Sequence, residues 1–499
     1  MSHHHIGIIG TGFSGLGMAI RLKRDGIDDF VLLERAKDVG GTWRDNSYPG
    51  CQCDIPSHLY SLSFAPNPDW TRTYSFQPEI WEYLRSLAKE HDLIPHIRFD
   101  HEVTGAQWDE GASRWEVETP GGDISCDILV NSGGGLADPR IPEIPGLDDF
   151  EGTHFHSAAW NHDHDIAGER VAVIGTGASA IQIVPSIQPQ VAHLDVYQRT
   201  PPWVMPHRDR PISRVERWMY RTFPPLQRIP RYFVYWLREL MVLGLVYDPR
   251  RLKLIERVGR KHLANGVKDP VLRERLAPDY TVGCKRILPS NSWYPALEEP
   301  NVSVHTDGIE RITPKGIRTT AGAEHELDTI VFATGFWVTE LPIAARVRGR
   351  GGRTLAAAWD GTMQAYLGTT VSGFPNFFTI PGPNVGLGHN SVVVMFEGQI
   401  NYAVQAMRAM RQRGAATIEV RPEVQESYNR DIQARLAKTV WNTGGCSSWY
   451  LDKHGVNTTI WPDFTWRFRL RTLKFDPESY VLGSSTPRGA QTVPAVDLA

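Results

Sequence analysis

Little in this sequence marks a secreted, membrane-spanning or nucleic-acid-binding protein. Only five cysteines occur among 499 residues, too few for a disulfide framework and in keeping with a reducing cytoplasm. The formal net charge is −3, so no global basic field favours nucleic acid. No apolar run reaches the ~20 residues of a bilayer span, and no secretory signal precedes the first predicted strand. We therefore expect a cytoplasmic protein of two or three domains, with no integral membrane span and no nucleic-acid partner.

The most apolar run is short and interrupted by charge. Residues 232–247 include Arg238 and Glu239, so we interpret the run as a buried or pocket-lining helix; a helix on a membrane surface is the alternative. It belongs to a segment of about 206–280 that is rich in Arg, Trp, Tyr and Leu and is predicted to be mostly helical. We expect this insertion to cover a substrate pocket. No metal site is predicted, because the histidines at positions 3–5 are better explained as N-terminal variation or a tag remnant.

A glycine-rich loop follows the first predicted strand, Ile6–Ile9, and opens a helix. Gly10, Gly12 and Gly15 have the spacing that lets a backbone approach a dinucleotide pyrophosphate at a helix N-terminus. The second strand ends at Glu34, about 20 residues later, where a carboxylate accepts hydrogen bonds from a ribose hydroxyl. An ordinary tight turn is the alternative. The contacts predicted here are Gly10, Gly12, Phe13, Ser14, Gly15 and Glu34.

A second glycine-containing stretch runs from Gly41-Thr42-Trp43 to Asp54. Its glycines would allow the backbone to approach a flat ligand. Cys51 and Cys53 are separated by a single residue, a spacing that gives poor disulfide geometry, so we interpret them as packed thiols. The alternative is the redox pair of a disulfide reductase. Asp54 either faces the ligand or caps a turn at the surface, and local sequence leaves both open.

The sequence contains a second strand–glycine–helix unit at residues 170–180. Gly175 and Gly177 form its turn, and the next strand is followed by Arg199 rather than by an acid. An arginine suits the 2′-phosphate of NADP, through charge-assisted bonds. Two such loops in one chain predict two cofactors that exchange electrons. The predicted contacts of this unit are Gly175, Thr176, Gly177, Ala178, Ser179, Arg199 and Thr200.

These elements predict an α/β fold with two Rossmann-like dinucleotide-binding domains, the second of them for NADP, and a helical insertion in the NADP domain. Prolines near residues 139–145 indicate a linker. The predicted domains are residues 1–148 and 335–499 for the first cofactor, the latter with a draped or disordered tail from Ser484, and 149–334 for NADP. The adjacent Lys285 and Arg286 are either a solvated pair or strand residues that face two different ligands. A loop at 381–390, ending at Asn390, opens a helix whose N-terminus could meet a flavin.

Four residues before the second glycine loop give a specific resemblance. Phe150, Gly152, His156 and Trp160 form the pattern Phe-x-Gly-x-x-x-His-x-x-x-Trp, and the Gly41–Trp43, Tyr48–Gly50 and Ala333–Phe336 elements accompany it. With both glycine loops, the sequence resembles the class B flavoprotein monooxygenases and, within them, the Baeyer–Villiger monooxygenases. Asn161 departs from the Pro or Asp that ends the family pattern. The resemblance implies that the first cofactor is FAD. It assigns further cofactor contacts to Arg35, Gly41, Thr42, Trp43, Asp54, Tyr60, Val103, Lys285, Ala333, Thr334, Gly335 and Asn390.

The resemblance implies a mechanism and roles for particular residues. NADPH reduces FAD, O2 then gives a C4a-peroxyflavin, and attack on a ketone yields an ester or lactone. Arg286 matches the catalytic arginine and Asp54 its acidic partner, while Lys285 and Arg199 would bind the 2′-phosphate. His156 and Trp160 would couple domain position to catalysis.

Three alternative functions remain open from the sequence. The first is N- or S-oxygenation of amines or sulfides, which needs no ketone-side arginine. The others are a disulfide reductase and a redox-sensing binding protein without turnover. The expected partners are a small ketone and O2, and the expected assembly is a monomer or weak homo-oligomer.

Overall fold

The computed structural model describes residues 2–484, so most of the predicted tail, residues 485–499, lies outside the described residues. The strands are β1 Ser2–Ile9, β2 Phe30–Leu33, β3 Ile97–Arg98, β4 Gly105–Asp109, β5 Arg114–Glu118, β6 Ile124–Asn131, β7 Thr153–His156, β8 Arg170–Ile174, β9 His193–Tyr197, β10 Val204–Met205, β11 Leu288–Pro289, β12 Val302–His305, β13 Ile309–Thr313, β14 Gly316–Thr319, β15 Glu324–Glu326, β16 Thr329–Phe332, β17 Val347–Arg348, β18 Phe377–Thr379, β19 Ala415–Val420 and β20 Tyr480–Ser484. The α-helices are α1 Phe13–Arg24, α2 Thr42–Asp45, α3 Gln77–Glu90, α4 Ala180–Ile187, α5 Arg214–Thr222, α6 Arg228–Glu239, α7 Lys253–Gly266, α8 Pro270–Arg275, α9 Trp293–Leu297, α10 Ile343–Arg346, α11 Leu355–Trp359, α12 Val392–Arg413, α13 Pro422–Leu436, α14 Val440–Thr443 and α15 Thr465–Arg471.

The larger sheet combines strands from both ends of the chain. Its order is β17-β4-β5-β6-β1-β2-β3, and β18 pairs with β6. Strands β1, β2, β3, β6 and β18 pair in parallel. Every residue of β2 is buried, as expected of a parallel strand that is covered on both faces. Strand β1 begins at Ser2, four residues earlier than predicted, because residues 2–4 pair with β6 and the His5 imidazole contacts Asp127. The N-terminal histidines are therefore part of the sheet.

The second sheet consists of five parallel strands in the order β12-β9-β8-β16-β7. Helix α4 follows β8 through the second glycine turn and packs on this sheet, with Ile181, Ile183, Val184 and Ile187 buried. The larger sheet is mixed, because β4, β5 and β6 pair antiparallel, but both sheets contain parallel strands with a glycine turn that leads into a helix, which confirms the predicted α/β fold of Rossmann-like type. Among residues 2–484, no helix has both the length and the apolarity to cross a lipid bilayer.

The helical insertion differs from the prediction in one respect. The apolar run 232–247 forms the end of α6 and a π-helical turn, Leu243–Tyr247. Its second half is buried around Val242 and Leu245, but Tyr232, Phe233, Trp236 and Leu237 are exposed. The prediction of burial is therefore wrong for this apolar face of α6, while the other half of the prediction, a pocket-lining helix, fits Arg238, which lines a small cavity together with Asp54 and Arg286. The reason is that α6 turns a polar face, which includes Arg238 and Glu239, toward the rest of the protein.

One disulfide was not predicted from the sequence. Cys284 and Cys446 are bonded across 162 residues and join the segment before Arg286 to the loop that leads to Tyr450. Cys51 and Cys53 are free and buried, so the prediction that they are packed thiols is confirmed. Burial raises the pKa of Cys51 to about 12 and also raises the pKa of Cys53, so neither thiol is a reactive thiolate at neutral pH.

Candidate active site

The first glycine loop has the geometry of a phosphate cradle. Gly10 has a φ of 91°, and a Cβ on Gly15 would lie 2.0 Å from the Gly10 carbonyl oxygen, so both positions require glycine. A Cβ on Gly12 would meet no atom within 4 Å. The N–H groups of Phe13 and Ser14, in the first turn of α1, donate to no acceptor among the described residues. This loop therefore has open space and unpaired donors at a helix N-terminus, which fits a dinucleotide pyrophosphate.

Glu34 lies at the end of β2, as predicted, but its carboxylate is already occupied. Oε2 accepts from the backbone and side chain of Thr11, and Oε1 accepts from the Ala36 N–H and from Arg44. A carboxylate has about four acceptor positions, and these four donors fill all of those of Glu34. In this structure Glu34 thus holds the glycine loop in place, and its contact with a ribose stays a prediction.

Aromatic side chains pack beside the first loop. The Tyr60 hydroxyl accepts a hydrogen bond from the Trp43 indole at 3.0 Å, and the rings of Phe13 and Tyr60 meet edge to face. Gly41 lies against Gly12, where a Cβ would come within 3.3 Å of its Cα. These residues, separated by up to 48 positions in the sequence, form one wall of the cradle.

Three other predicted contacts have structural partners of their own. Arg35 pairs with Asp138 at 2.8 Å, and the Thr42 hydroxyl donates to the Leu136 carbonyl. Val103 is buried in the hydrophobic core that packs against the larger sheet. Their contacts with a cofactor stay predictions.

The second glycine loop repeats the geometry of the first. Gly175 has a φ of 114°, and a Cβ there would lie 2.5 Å from the Ala333 carbonyl oxygen. A Cβ on Gly177 would meet no atom within 4 Å. The Thr176 hydroxyl donates to the Thr200 carbonyl, which ties the loop to the segment after β9. Ala178 and Ser179 complete the turn, and Ser179 is the N-cap residue of α4.

Arg199 and Lys285 lie close together near this loop. Burial and the positive charge of Arg199 lower the pKa of Lys285, and the Lys285 ammonium lies 5.3 Å from the ring centre of Tyr280. No carboxylate forms an ion pair with either side chain among residues 2–484. Two neighbouring cations without an anion form a site suited to a phosphate group.

The segment from Tyr48 to Asp54 joins the two nucleotide-binding units. The Tyr48 hydroxyl and the Gln52 N–H both donate to the Gln182 side chain on α4, whose amide donates back to the Gln52 carbonyl. A Cβ on Gly50 would clash with Ser186 of the same helix. Helix α4 therefore fixes the segment that presents Asp54.

Arg286 and Asp54 form a bidentate ion pair where the two units meet. Arg286 Nε and Nη2 contact the two oxygens of Asp54, the latter at 2.6 Å. The side chains are only 29% and 19% exposed. Burial favours a raised pKa for Asp54, but the positive charges of Arg286 and Arg238 outweigh it and lower this pKa. Burial by itself would lower the pKa of Arg286, but the negative charge and the hydrogen bonds of Asp54 outweigh this effect, so the pKa of Arg286 is raised. Both groups stay ionised at neutral pH.

Comparison with known proteins decides the family. A family model for pyridine nucleotide-disulphide oxidoreductases matches residues 7–229. The chain is 52% identical over 479 residues to a Baeyer-Villiger monooxygenase of Streptomyces coelicolor, covering 96% of this chain and 92% of the relative. It belongs to the Baeyer–Villiger monooxygenase family. The resemblance inferred from the motifs is thereby confirmed.

Solved structures of this family have the same architecture. The closed crystal structure of cyclohexanone monooxygenase superposes with a TM-score of 0.87 at 27% identity, covering 97% of this chain and 100% of that one. A structure of OTEMO in complex with FAD and NADP gives a TM-score of 0.85 at 27% identity, with coverages of 96% and 99%.

The signature residues of the Baeyer–Villiger family pattern lie at the edge of the second sheet. Phe150 is buried in the core beside it, and a Cβ on Gly152 would lie 2.4 Å from the Asp328 carbonyl oxygen. His156 ends β7, and its Nδ1 accepts a hydrogen bond from the Ala158 N–H at 3.1 Å. Trp160 packs edge to face on Phe155. These contacts are structural, and the coupling role stays a prediction.

The loop after β16 carries the Ala333–Gly335 element beside His156. The Thr334 hydroxyl donates to the Arg140 carbonyl at 2.6 Å, and the Arg140 N–H donates to the Gly335 carbonyl. The ring of Phe336 lies edge to face with that of His156. The segment around Arg140, where the sequence predicts a linker, is thereby bound to the loop beside His156.

Burial keeps His156 neutral and makes the fold sensitive to acid. Its pKa is lowered to about 4 from 6.5. Between pH 6.5 and 4 the imidazole takes up a proton in the unfolded chain but not in the folded one. The free energy of unfolding therefore falls as the pH is lowered through this range, by about 3 kcal/mol at most. We expect His156→Gln to show a smaller fall of the thermal midpoint between pH 6.5 and 4 than the unmodified protein. The control His162→Gln, at an exposed histidine, should show the same fall of the thermal midpoint as the unmodified protein. An equal fall in all three proteins would contradict the conclusion that His156 is the acid-sensitive group.

Arg238 and Glu239 are residues near the site whose contacts were not predicted from the sequence. Arg238 of α6 donates to the carbonyls of Asp54 and His389. The Asn390 side chain donates to Glu239 at 2.7 Å, and its contact with a cofactor stays a prediction. The sequence did contain a signal for this contact: two charges interrupt an apolar run. In this Baeyer–Villiger family member those charges bind the loop beside the Arg286–Asp54 pair.

Proposed function

We propose that this protein is an FAD-containing, NADPH- and O2-dependent monooxygenase that inserts one oxygen atom beside the carbonyl of a ketone to give an ester or lactone. The observation that carries the proposal is the partly buried Arg286–Asp54 pair between two glycine cradles. Membership of the family, a related cyclohexanone monooxygenase and a related complex with FAD and NADP support it. We also propose the domain limits given above, with FAD held by residues 1–148 and 335–499 and NADP by 149–334.

The residues present fit both cofactors. The cradle at Gly10–Gly15, with Trp43 and Tyr60 beside it, would hold FAD. The cradle at Gly175–Ser179, with Arg199 and Lys285, would hold NADP. When bound, FAD supplies the oxygen-activating chemistry and NADPH the electrons.

Arg286 would stabilise negative charge that develops at the reacting oxygen atoms. Its guanidinium keeps its charge at working pH, and the Asp54 carboxylate fixes its plane through two hydrogen bonds. A fixed cation in a partly buried site needs no reorganisation when charge develops, so it stabilises the transition state more than water does. Arg238 would position Asp54 from the other side.

The decisive experiment compares substrates in the purified holoenzyme. We expect ketone-dependent NADPH consumption and an ester one oxygen atom heavier than the ketone, identified by mass spectrometry. Sulfides and amines serve as the second panel, because N- or S-oxygenation needs the same cofactors. Sulfoxide or N-oxide formation without any ester would favour that alternative, and no turnover of either panel would favour a redox sensor.

Arg199→Ala tests the preference for NADP. Loss of a charge-assisted bond to the 2′-phosphate should raise the KM for NADPH about 10- to 100-fold while changing the KM for NADH little. The exposed Arg413→Ala, at the end of α12, is the control and should leave both values unchanged. Equal increases for the two nucleotides would remove the argument for a 2′-phosphate site.

A further inference from the structure

Helix α6 presents an apolar stripe to solvent. Ile229, Phe233, Trp236 and Leu240 follow one another at intervals of three or four residues and are 64%, 69%, 55% and 60% exposed. This spacing places them on one helical face. A helix on the surface of a globular protein normally turns such a face inward, so α6 is inverted.

Polar contacts on the opposite face fix the inverted orientation. Arg231 donates to the carbonyls of His58 and Ser61 and faces Glu397. Glu239 accepts from Asn390 and Thr465. With Arg238 bound to the active-site segments, α6 cannot rotate its apolar face inward without leaving buried polar groups unpaired.

The exposed apolar surface continues into the preceding helix and turn. Trp218 in α5 is 59% exposed, and Phe223 and Leu226 between the helices are also exposed. We call these residues and the α6 stripe the insertion surface. Isolated exposed apolar side chains are ordinary, but a contiguous set rich in Trp and Phe indicates an interaction site.

The charge around the insertion surface indicates what it contacts. Residues 206–280 contain 17 Lys and Arg against eight Asp and Glu, although the whole chain has a net charge of −3. Arg214 and Arg228, at the starts of α5 and α6, are exposed and form no ion pair within residues 2–484. Aromatic residues with a basic surround match the interfacial region of an anionic lipid layer. In a symmetric dimer formed through this surface, the positively charged residues around it would face those of the second copy, and their repulsion is unfavourable.

We propose that the insertion surface docks on an anionic lipid layer. Ile229, Phe233, Trp236 and Leu240 enter the interfacial region, and the flanking arginines contact lipid phosphates. The opposite face of the same helix carries Arg238, which contacts Asp54. Docking would therefore bring the active-site side of the insertion close to apolar compounds dissolved in the lipid.

Vesicle co-sedimentation of the full-length holoenzyme tests the proposal. We expect at least about tenfold more bound protein on phosphatidylcholine vesicles that contain a minor fraction of phosphatidylglycerol than on phosphatidylcholine alone, and release at high salt. The variant Phe233→Ser/Trp236→Ser should lose this binding while retaining its FAD content and turnover of a water-dissolved ketone. The control Ile94→Ser/Val481→Ser removes exposed apolar residues elsewhere and should bind as the unmodified protein does.

Several results would overturn the proposal. They are absence of vesicle binding by the full chain, equal binding by both double variants, and binding that appears only after removal of residues 485–499. A concentration-dependent dimer in sedimentation velocity that Phe233→Ser/Trp236→Ser dissociates would instead assign the surface to a second copy.

Discussion

Arg286→Ala is expected to reduce ester formation by at least about 10²- to 10³-fold while NADPH still reduces the bound flavin at a near-normal rate. The guanidinium is the fixed cation that contacts both oxygens of Asp54, and removal of one preorganised charge-stabilising group costs about this much in kcat. Reduction depends instead on the two glycine cradles, which the substitution does not touch. Stopped-flow measurement of flavin reduction and mass spectrometry of the product separate the two steps.

Two further variants make the result for Arg286 specific. Arg286→Lys keeps the charge but cannot form the bidentate pair, so it should recover only part of the activity. Arg408→Ala removes an arginine that pairs with Asp25 at 2.6 Å in the outer part of the protein, and it should leave ester formation unchanged. A normal ester yield from Arg286→Ala would refute the role assigned to this residue. Loss of flavin reduction in the same variant would instead indicate a cofactor-binding defect.

Gly12→Val is expected to give folded protein that purifies without its flavin. A Cβ on Gly12 meets no protein atom within 4 Å, so the added side chain costs the fold little. It fills the space in which the cradle would hold a pyrophosphate, and the first-turn N–H groups of α1 lose their ligand. Absorbance in the visible range measures flavin content, and circular dichroism checks the fold.

Gly177→Val is the matched experiment in the second cradle, because Gly177 also faces open space. This variant should retain its flavin colour but show a KM for NADPH that is at least about tenfold higher. The two variants thus serve as controls for each other. Loss of flavin from both, or from neither, would show that the two loops do not bind separate cofactors.

Short-range spacing explains why much of the site was predictable. Each glycine cradle spans about six residues, and the strand, turn and helix around it follow one another directly in the chain. Local rules of backbone conformation and helix N-termini apply at that range. Arg286 and Asp54 were identified by resemblance to a family motif, and the structure brings the two side chains together.

Contacts across long separations were not predictable in this way. Arg286 and Asp54 are 232 positions apart, and Cys284 pairs with Cys446 across 162. The Glu34 carboxylate accepts one of its four hydrogen bonds from Arg44, whose position is set by the turn before α2. No local pattern encodes which donors reach a given acceptor, because that depends on how the two sheets and the insertion pack.

The sequence by itself determined the α/β class, the two cradles and the family, because each rests on residue types at fixed local intervals. Only the tertiary structure decided which way α6 faces. Its apolar period is visible in the sequence and predicts burial, but Arg231, Arg238 and Glu239 find buried partners on the opposite face. Unpaired buried charges cost more free energy than exposed apolar side chains, so the polar face turns inward and the apolar face remains at the surface.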